Sequence, residues 1–159
     1  MKRQVLIAIT TVVALGMPGY MSAHCQIPCG IYDDEMRVQL MEEHVRTVER
    51  SMRRVVELGA ADGIDHNQLV RWIVNKEEHA QKIQDIVTEY FMAQRIKHPG
   101  SSEGEAWDEY VRRLTLLHQV QVAAMKAKQS TDLEVIAELR DLIASFRTAY
   151  FGEKGKHAH

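Results

Sequence analysis

Residues 33–59, DDEMRVQLMEEHVRTVERSMRRVVELG, carry the pattern that decides the fold. Apolar side chains recur there in alternating steps of three and four residues, at Val38, Met41, Val45, Val48, Met52 and Val55. This spacing places them on one face of an α-helix whose other face is charged. We expect Gly59 to end the helix in the C′ position that glycine favours.

Three further segments show the same amphipathic pattern. We expect Asp65 to cap a second helix, a loop at residues 98–102 to precede a third, and Thr131 with Glu134 to form a capping box on a fourth. Their apolar stripes are Leu69, Trp72, Ile73, Ala80, Ile83, Val87 and Tyr90; Trp107, Tyr110, Val111, Leu114 and Leu117; and Ile136, Leu139, Ile143, Phe146 and Tyr150. Four such stripes joined by short connections predict an all-α, up-down-up-down four-helix bundle over residues 33–152.

The first 23 residues differ from the rest of the chain. Lys2 and Arg3 precede an uncharged apolar run, residues 5–17, and the small residues Ser22 and Ala23 follow. This order is typical of a secretory signal, and the run is too short to span a bilayer comfortably. We therefore expect residues 1–23 to be a leader whose removal exposes His24. The mature protein is then expected to be periplasmic or extracellular and not attached to a membrane. The alternative is an uncleaved anchor or a buried helix.

Composition and the absence of certain motifs exclude several classes of function. A formal net charge of −2 gives no case for binding nucleic acid or an anionic membrane. The bundle lacks the Glu-x-x-His pairs of di-iron bundles and the Cys-x-x-Cys-His motif of c-type haem. The C-terminal tail, residues 153–159, is expected to be disordered. Any chemistry is therefore predicted in an irregular N-terminal hook, residues 24–32.

The hook, HCQIPCGIY, holds both cysteines of the chain. Once His24 has a free amine, that amine, the backbone nitrogen of Cys25 and the Cys25 thiolate can form two fused chelate rings on one metal. Cys29 can supply a fourth ligand, and the His24 imidazole can reach an axial position. Ni(II) and Cu(II) favour such planar nitrogen and sulfur sites. In the precursor the His24 nitrogen is an amide, so leader cleavage creates a ligand.

Two other interpretations of the hook remain open. Two cysteines in an exported chain usually pair, which predicts a Cys25–Cys29 disulfide in a non-enzymatic helical bundle. The same hook could also bind copper or nickel without catalysis.

The nine residues of the hook resemble the nickel hook of nickel-dependent superoxide dismutases, whose mature chains begin His-Cys-x-x-Pro-Cys-Gly-x-Tyr. The resemblance implies one nickel per subunit, held by His24, Cys25 and Cys29, with Tyr32 completing the catalytic set. It implies a Ni(II)/Ni(III) centre that converts superoxide to oxygen and hydrogen peroxide. It also implies a homohexamer and a leader peptidase. Many family members carry a cytoplasmic pro-segment, so a cytoplasmic location is the alternative.

The resemblance is less definite beyond the hook. It implies that Tyr90 is a second tyrosine of the site and that Lys97, with Lys126 or Lys128, attracts superoxide. The partners of the axial histidine stay open, with candidates Gln39, Glu42 and Glu43 on the first helix and Arg71, Glu77, Glu78 and His79 on the second. Judged from the residues alone, His79 is a surface or core-edge histidine.

Overall fold

A computed structural model describes residues 29–152. Helix α1 spans Asp34–Gly59 and α2 spans His66–Asp85, which continues as a π-helical segment, Ile86–Arg95. Helix α3 spans Glu105–Gln129 and α4 spans Leu133–Phe151. The described residues contain no strand, so the all-α prediction is confirmed.

The four helices form a closed bundle. Helix α1 packs against α2, α2 against α3, α3 against α4, and α4 back against α1. The connections are short, at residues 60–65, 96–104 and 130–132, so successive helices run in opposite directions. The starts of α1 and α3 and the ends of the π-helical segment and α4 therefore share one end of the bundle, here called the hook end. The other end is called the far end.

The predicted stripes supply most of the core, but not all of their residues belong to it. Val55, Leu69, Trp72, Trp107, Tyr110 and Leu114 are only half-buried and lie outside the core cluster. The buried apolar side chains come from all four helices: Val38, Met41, Val45, Val48, Met52, Ala80, Ile83, Val87, Tyr90, Phe91, Leu117, Val120, Ala123, Ala124, Ala127, Ile136, Leu139, Ile143 and Phe146. Ile73 and Val111 are exposed, so their assignment to the core was wrong. Val111 lies on the side of α3 opposite its buried row, which includes Leu117 and Val120, whereas Ile73 lies at the edge of the buried row of α2, which begins at Lys76.

The helix ends confirm one predicted cap and correct two others. Asp65 Oδ1 accepts a hydrogen bond from Gln68 N at 3.1 Å, as a helix cap should. Thr131 is not the cap of α4, because Asp132 takes that place and its Oδ1 accepts from Glu134 N at 2.9 Å. Gly59 is the last helical residue rather than a left-handed C′ residue, and Gly63 supplies the positive φ of that turn, at 88°.

A buried lysine links two helices at the far end of the bundle. Lys76 is 5% exposed, and its Nζ donates to the carbonyl oxygens of Lys128 and, at 3.2 Å, Ser130. These carbonyls lie at the end of α3, where helical carbonyls lack partners in their own helix and attract a cation. Lys76 therefore joins α2 to the end of α3. No helix within residues 29–152 has the length and apolar character needed to cross a membrane.

Candidate metal centre

The described part of the hook begins at Cys29. Its thiol is free and exposed, and Gly30 follows with a φ of 79°, a left-handed turn that glycine adopts without strain. His24 and Cys25, the other two predicted ligands, lie outside the described residues. Within residues 29–152 no group of three or more histidine, cysteine, aspartate or glutamate side chains could hold a metal. A nickel centre therefore needs ligands from outside the described residues.

Tyr32 is fixed against the bundle by two ring contacts. Its ring meets that of Tyr90 edge-on, with the ring centres 5.9 Å apart. The guanidinium carbon of Arg95 lies 4.3 Å from the centre of the Tyr32 ring, within cation–π range. The side of Tyr32 away from these contacts is open, since the residue is 41% exposed. The structure thus brings the two predicted tyrosines together at the hook end.

One carboxylate organises the groups beneath Tyr32. Asp34 Oδ1 accepts from the Tyr90 hydroxyl at 2.6 Å and from Arg95 Nε at 2.8 Å. Its Oδ2 accepts from Arg95 Nη2 at 2.7 Å and from the Tyr150 hydroxyl at 2.8 Å. The two-pronged contact with Arg95 is the strong, directional form of an ion pair. Asp34 therefore joins α1, the π-helical segment and α4 two residues after Tyr32.

The π-helical winding places Tyr90 and Arg95 on one side. The segment ends with a hydrogen bond from Ile96 N to Phe91 O at 2.8 Å, the five-residue spacing of a π-helix. Residues five apart stand almost above one another in that winding, whereas in an α-helix they are about 140° apart around the axis. Both side chains can then reach Asp34 from the same segment.

The charges in this network are set by its hydrogen bonds. Burial alone raises the pKa of the Asp34 carboxyl, but hydrogen bonds from Arg95, Tyr90 and Tyr150 outweigh burial and hold that pKa below its ordinary value. Burial and the hydrogen bond to Asp34 raise the pKa of Tyr90 well above its ordinary value and that of Tyr150 to about 12. At neutral pH Asp34 is therefore a carboxylate, and both tyrosines keep their protons.

A groove with basic side chains adjoins the network. It has a volume of about 460 Å³, and its lining includes Arg95, Lys97 and Arg113 together with Glu105 and Glu109. Lys97, one of the lysines named in the sequence analysis, therefore lies beside the site.

The other two lysines do not share this position. Lys126 and Lys128 lie in the last turn of α3, at the far end. Lys126 contacts Glu138 at 3.3 Å, and Lys128 donates to Gln84 at 2.8 Å. Within one subunit neither of them is near Tyr32.

The candidate partners of the axial histidine are dispersed. Gln39 donates to Glu35 at 3.2 Å, Glu42 pairs with Arg147, and Arg71 lies near the start of α2 at the far end. His79 faces His44 on α1. The ring contacts of Tyr32 in the described residues are with Tyr90 and Arg95, not with any of these candidates.

Sequence reasoning missed Asp34, Arg95 and Tyr150. The signal that could have found them is topological. In an up-down-up-down bundle the start of α1, the end of the second helical stretch and the end of α4 meet at one end. A carboxylate, an arginine and a tyrosine at those three positions are therefore neighbours.

The donor chemistry of the hook fits nickel. Cys29 offers a free, solvent-accessible sulfur, and the chain before it offers a second thiol and a histidine. Sulfur and nitrogen donors suit divalent nickel and copper, whereas oxygen donors suit magnesium and calcium. Three residues after Cys29, Tyr32 adjoins a group of tyrosines around a carboxylate–arginine pair. The arrangement can hold a thiolate-ligated metal at an open surface beside positive charge.

The family model described as nickel-containing superoxide dismutase matches residues 20–154. The matched range includes the hook and all four helices. Neither the curated proteins nor the solved structures gave a match.

Proposed function

Because the chain belongs to the nickel-containing superoxide dismutase family, we propose that its nickel centre forms at the amine of His24 once residues 1–23 are removed. Members of this family are oxidoreductases that act on superoxide and contain nickel. The observation that carries the proposal is the complete His-Cys-x-x-Pro-Cys-Gly-x-Tyr frame of residues 24–32, which lies inside the matched range.

The ligands proposed for nickel come from three residues. They are the amine and imidazole of His24, the backbone nitrogen and thiolate of Cys25, and the thiolate of Cys29. Bound nickel supplies the one-electron acceptor and donor that dismutation of superoxide requires. The precursor lacks one of these ligands, because its His24 nitrogen is part of a peptide bond to Ala23.

The residues at the hook end have separate proposed roles. Lys97 provides positive charge that attracts the superoxide anion, whereas the charge of Arg95 is paired with Asp34. The hydroxyls of Tyr90 and Tyr150 are both committed to Asp34. Among the described residues the Tyr32 hydroxyl has no such partner, so Tyr32 is the tyrosine free to position water beside the metal. Asp34 acts indirectly, by holding Arg95 and Tyr90.

We also propose that the mature protein is exported and forms a homohexamer. The basic and apolar order of residues 1–23 supports export by a secretory route. Assembly is supported by the family resemblance and by exposed apolar side chains on one helix, α2, at Val70, Ile73 and Val74.

Two chains that differ by one residue test the proposal. One begins at His24 and the other retains Ala23, each released from a cleavable fusion and loaded with Ni(II). We expect the first to hold about one nickel per chain and to dismutate superoxide, and the second to lose most of both. Loading with Cu(II) instead should give little activity.

Either of two results would contradict the proposal. Equal nickel content and activity in the chain that retains Ala23 would show that a free amine is not needed. A His24 chain that is two hydrogens lighter in intact mass and takes up no nickel would indicate a Cys25–Cys29 disulfide in a non-enzymatic bundle.

A further inference from the structure

A pair of histidines joins α1 to α2 away from the hook end. His44 Nδ1 and His79 Nδ1 are 3.1 Å apart, and the two rings meet edge-on with centres 4.9 Å apart. His44 is ten residues along α1 from Asp34, a separation on the order of 15 Å. Both side chains are half-buried. The pair is therefore separate from the Asp34 network.

The separation of the two nitrogens suits a shared metal ion. Two imidazole nitrogens bound at about 2.0–2.1 Å and 3.1 Å apart subtend an angle of about 98° at the metal. That angle lies between the square-planar and tetrahedral values, so Zn(II), Cu(II) and Ni(II) can all accept it. Without metal, one ring must donate a proton to the other to make the same contact.

The surroundings keep both rings in the form that binds metals. Burial lowers the pKa of His44, with further lowering by His79 and Lys82, while Glu43 raises it. Burial and Lys82 also lower the pKa of His79, against Glu78 and Glu43. Both imidazoles are therefore neutral at neutral pH, as metal ligands must be. The charged neighbours of the pair are of both signs, with Lys82 against Glu43 and Glu78.

Solvent can reach the pair from one side. His44 lines an open groove of about 260 Å³ between α1 and α2. The charged lining of this groove is balanced, with Arg37 and Lys82 against Asp85 and Glu89. The groove gives a metal ion a path to His44 and room for the water ligands it would keep.

We propose that His44 and His79 form a two-histidine site for a divalent transition metal, with water in the remaining coordination positions. Within residues 29–152 no third histidine, cysteine or carboxylate completes a ligand cluster, so the bound metal exchanges readily. Since the ligands come from α1 and α2, the metal binds the folded bundle better than the unfolded chain and stabilises it. The site does not depend on the hook.

Zinc titration of the full 159-residue chain tests the site. Cys25→Ser and Cys29→Ser remove the thiols, and His157→Gln and His159→Gln remove the tail histidines. The retained leader keeps the His24 nitrogen in an amide. In this background, isothermal titration calorimetry should detect one zinc per chain, and saturating zinc should raise the melting temperature.

One substitution separates a metal site from a hydrogen bond. In His44→Asn the amide takes the place of Nδ1 and can still hydrogen-bond to His79, but it is a poor zinc ligand. We expect zinc affinity to fall at least tenfold and the zinc-induced rise in melting temperature to disappear. His118→Asn, at an exposed position on α3, is the matched control and should leave both unchanged.

Unchanged zinc binding in the histidine variants would overturn the proposal. Zinc affinity within twofold of the background in both His44→Asn and His79→Asn would show that the contact is only a hydrogen bond. The same conclusion follows if zinc leaves the imidazole nitrogen resonances of both histidines in place while shifting those of other histidines. Circular dichroism of each variant establishes that the helices are formed before titration.

Discussion

The guanidinium of Arg95 lies 4.3 Å from the centre of the Tyr32 ring while it donates two hydrogen bonds to Asp34. One side chain thus connects a tyrosine of the hook to a carboxylate of α1. Tyr32 follows Cys29 by three residues, so the contact holds the chain leaving the candidate metal centre. Tyr32, the last residue of the hook, is thus held against the bundle by a planar cation that lies between its ring and a carboxylate.

Arg95→Lys should lower superoxide turnover without lowering the nickel content. Lysine cannot make the two-pronged contact with Asp34 and stack on Tyr32 at once. Losing a cation–π contact of about 1 kcal/mol should lower kcat/KM about fivefold. Superoxide turnover and nickel content are measured on the same samples. Arg112→Lys, on an exposed arginine that contacts Glu109 at 3.6 Å, is the control and should leave turnover unchanged.

Asp34→Asn should destabilise the bundle. The amide keeps the shape but presents N–H groups to Arg95 or to a tyrosine hydroxyl, and Arg95 loses its counter-charge. Hydrogen bonds to a charged group are worth about 1.5–3 kcal/mol, and we expect the free energy of unfolding in urea to fall by about that amount. Asp141→Asn removes an exposed carboxylate on α4 and should change it by under about 0.5 kcal/mol. Equal losses in both variants would argue against the network.

The contribution of Asp34 should disappear in acid. Its pKa is lowered in the folded protein, so its stabilisation is complete above the unfolded-state pKa of about 3.9 and is lost as pH falls through the lower folded-state pKa. The stability difference between the native chain and Asp34→Asn should be constant from about pH 7 to 5 and shrink below about pH 4. Urea unfolding at pH 7, 5, 4 and 3 measures it. A difference that grows toward pH 3 would contradict the assignment.

Lys76→Met should weaken the far end and leave the metal centre intact. Methionine keeps the apolar stem but leaves the carbonyls of Lys128 and Ser130 without their cation, at a cost of about 1–3 kcal/mol. Nickel content and turnover should not change. Lys126→Met breaks only an exposed pair with Glu138 and should cost under about 1 kcal/mol. Urea unfolding compares the two variants.

The helices could be predicted from sequence because their apolar spacing is regular. The stripe from Val38 to Met52 is buried without exception, and Asp65 caps α2 as expected. Errors arose where a neighbouring residue could serve as well, as at the N-terminus of α4, which Asp132 caps in place of Thr131. Ile73 was misplaced because the buried row includes Lys76, a charged residue that an apolar pattern omits.

The site was predictable only in part. Cys29 and Tyr32 follow from a local motif, whereas the Asp34 network joins residues 56 to 116 positions apart in the chain. No local pattern indicates that Arg95 turns toward Asp34, because the five-residue spacing of Tyr90 and Arg95 does not match an α-helix. Pairs such as His44 and His79 likewise become visible only when α1 and α2 are packed together.

The π-helical segment makes the hook end sensitive to chain length. Deleting one residue between Tyr90 and Arg95 would let the segment relax to ordinary α-helical winding, in which hydrogen-bonded residues are four positions apart rather than five. An insertion would rotate Arg95 by about 100° away from Asp34. Relatives that keep this network should therefore conserve the number of residues from Tyr90 to Arg95 more strictly than the identities of those between them.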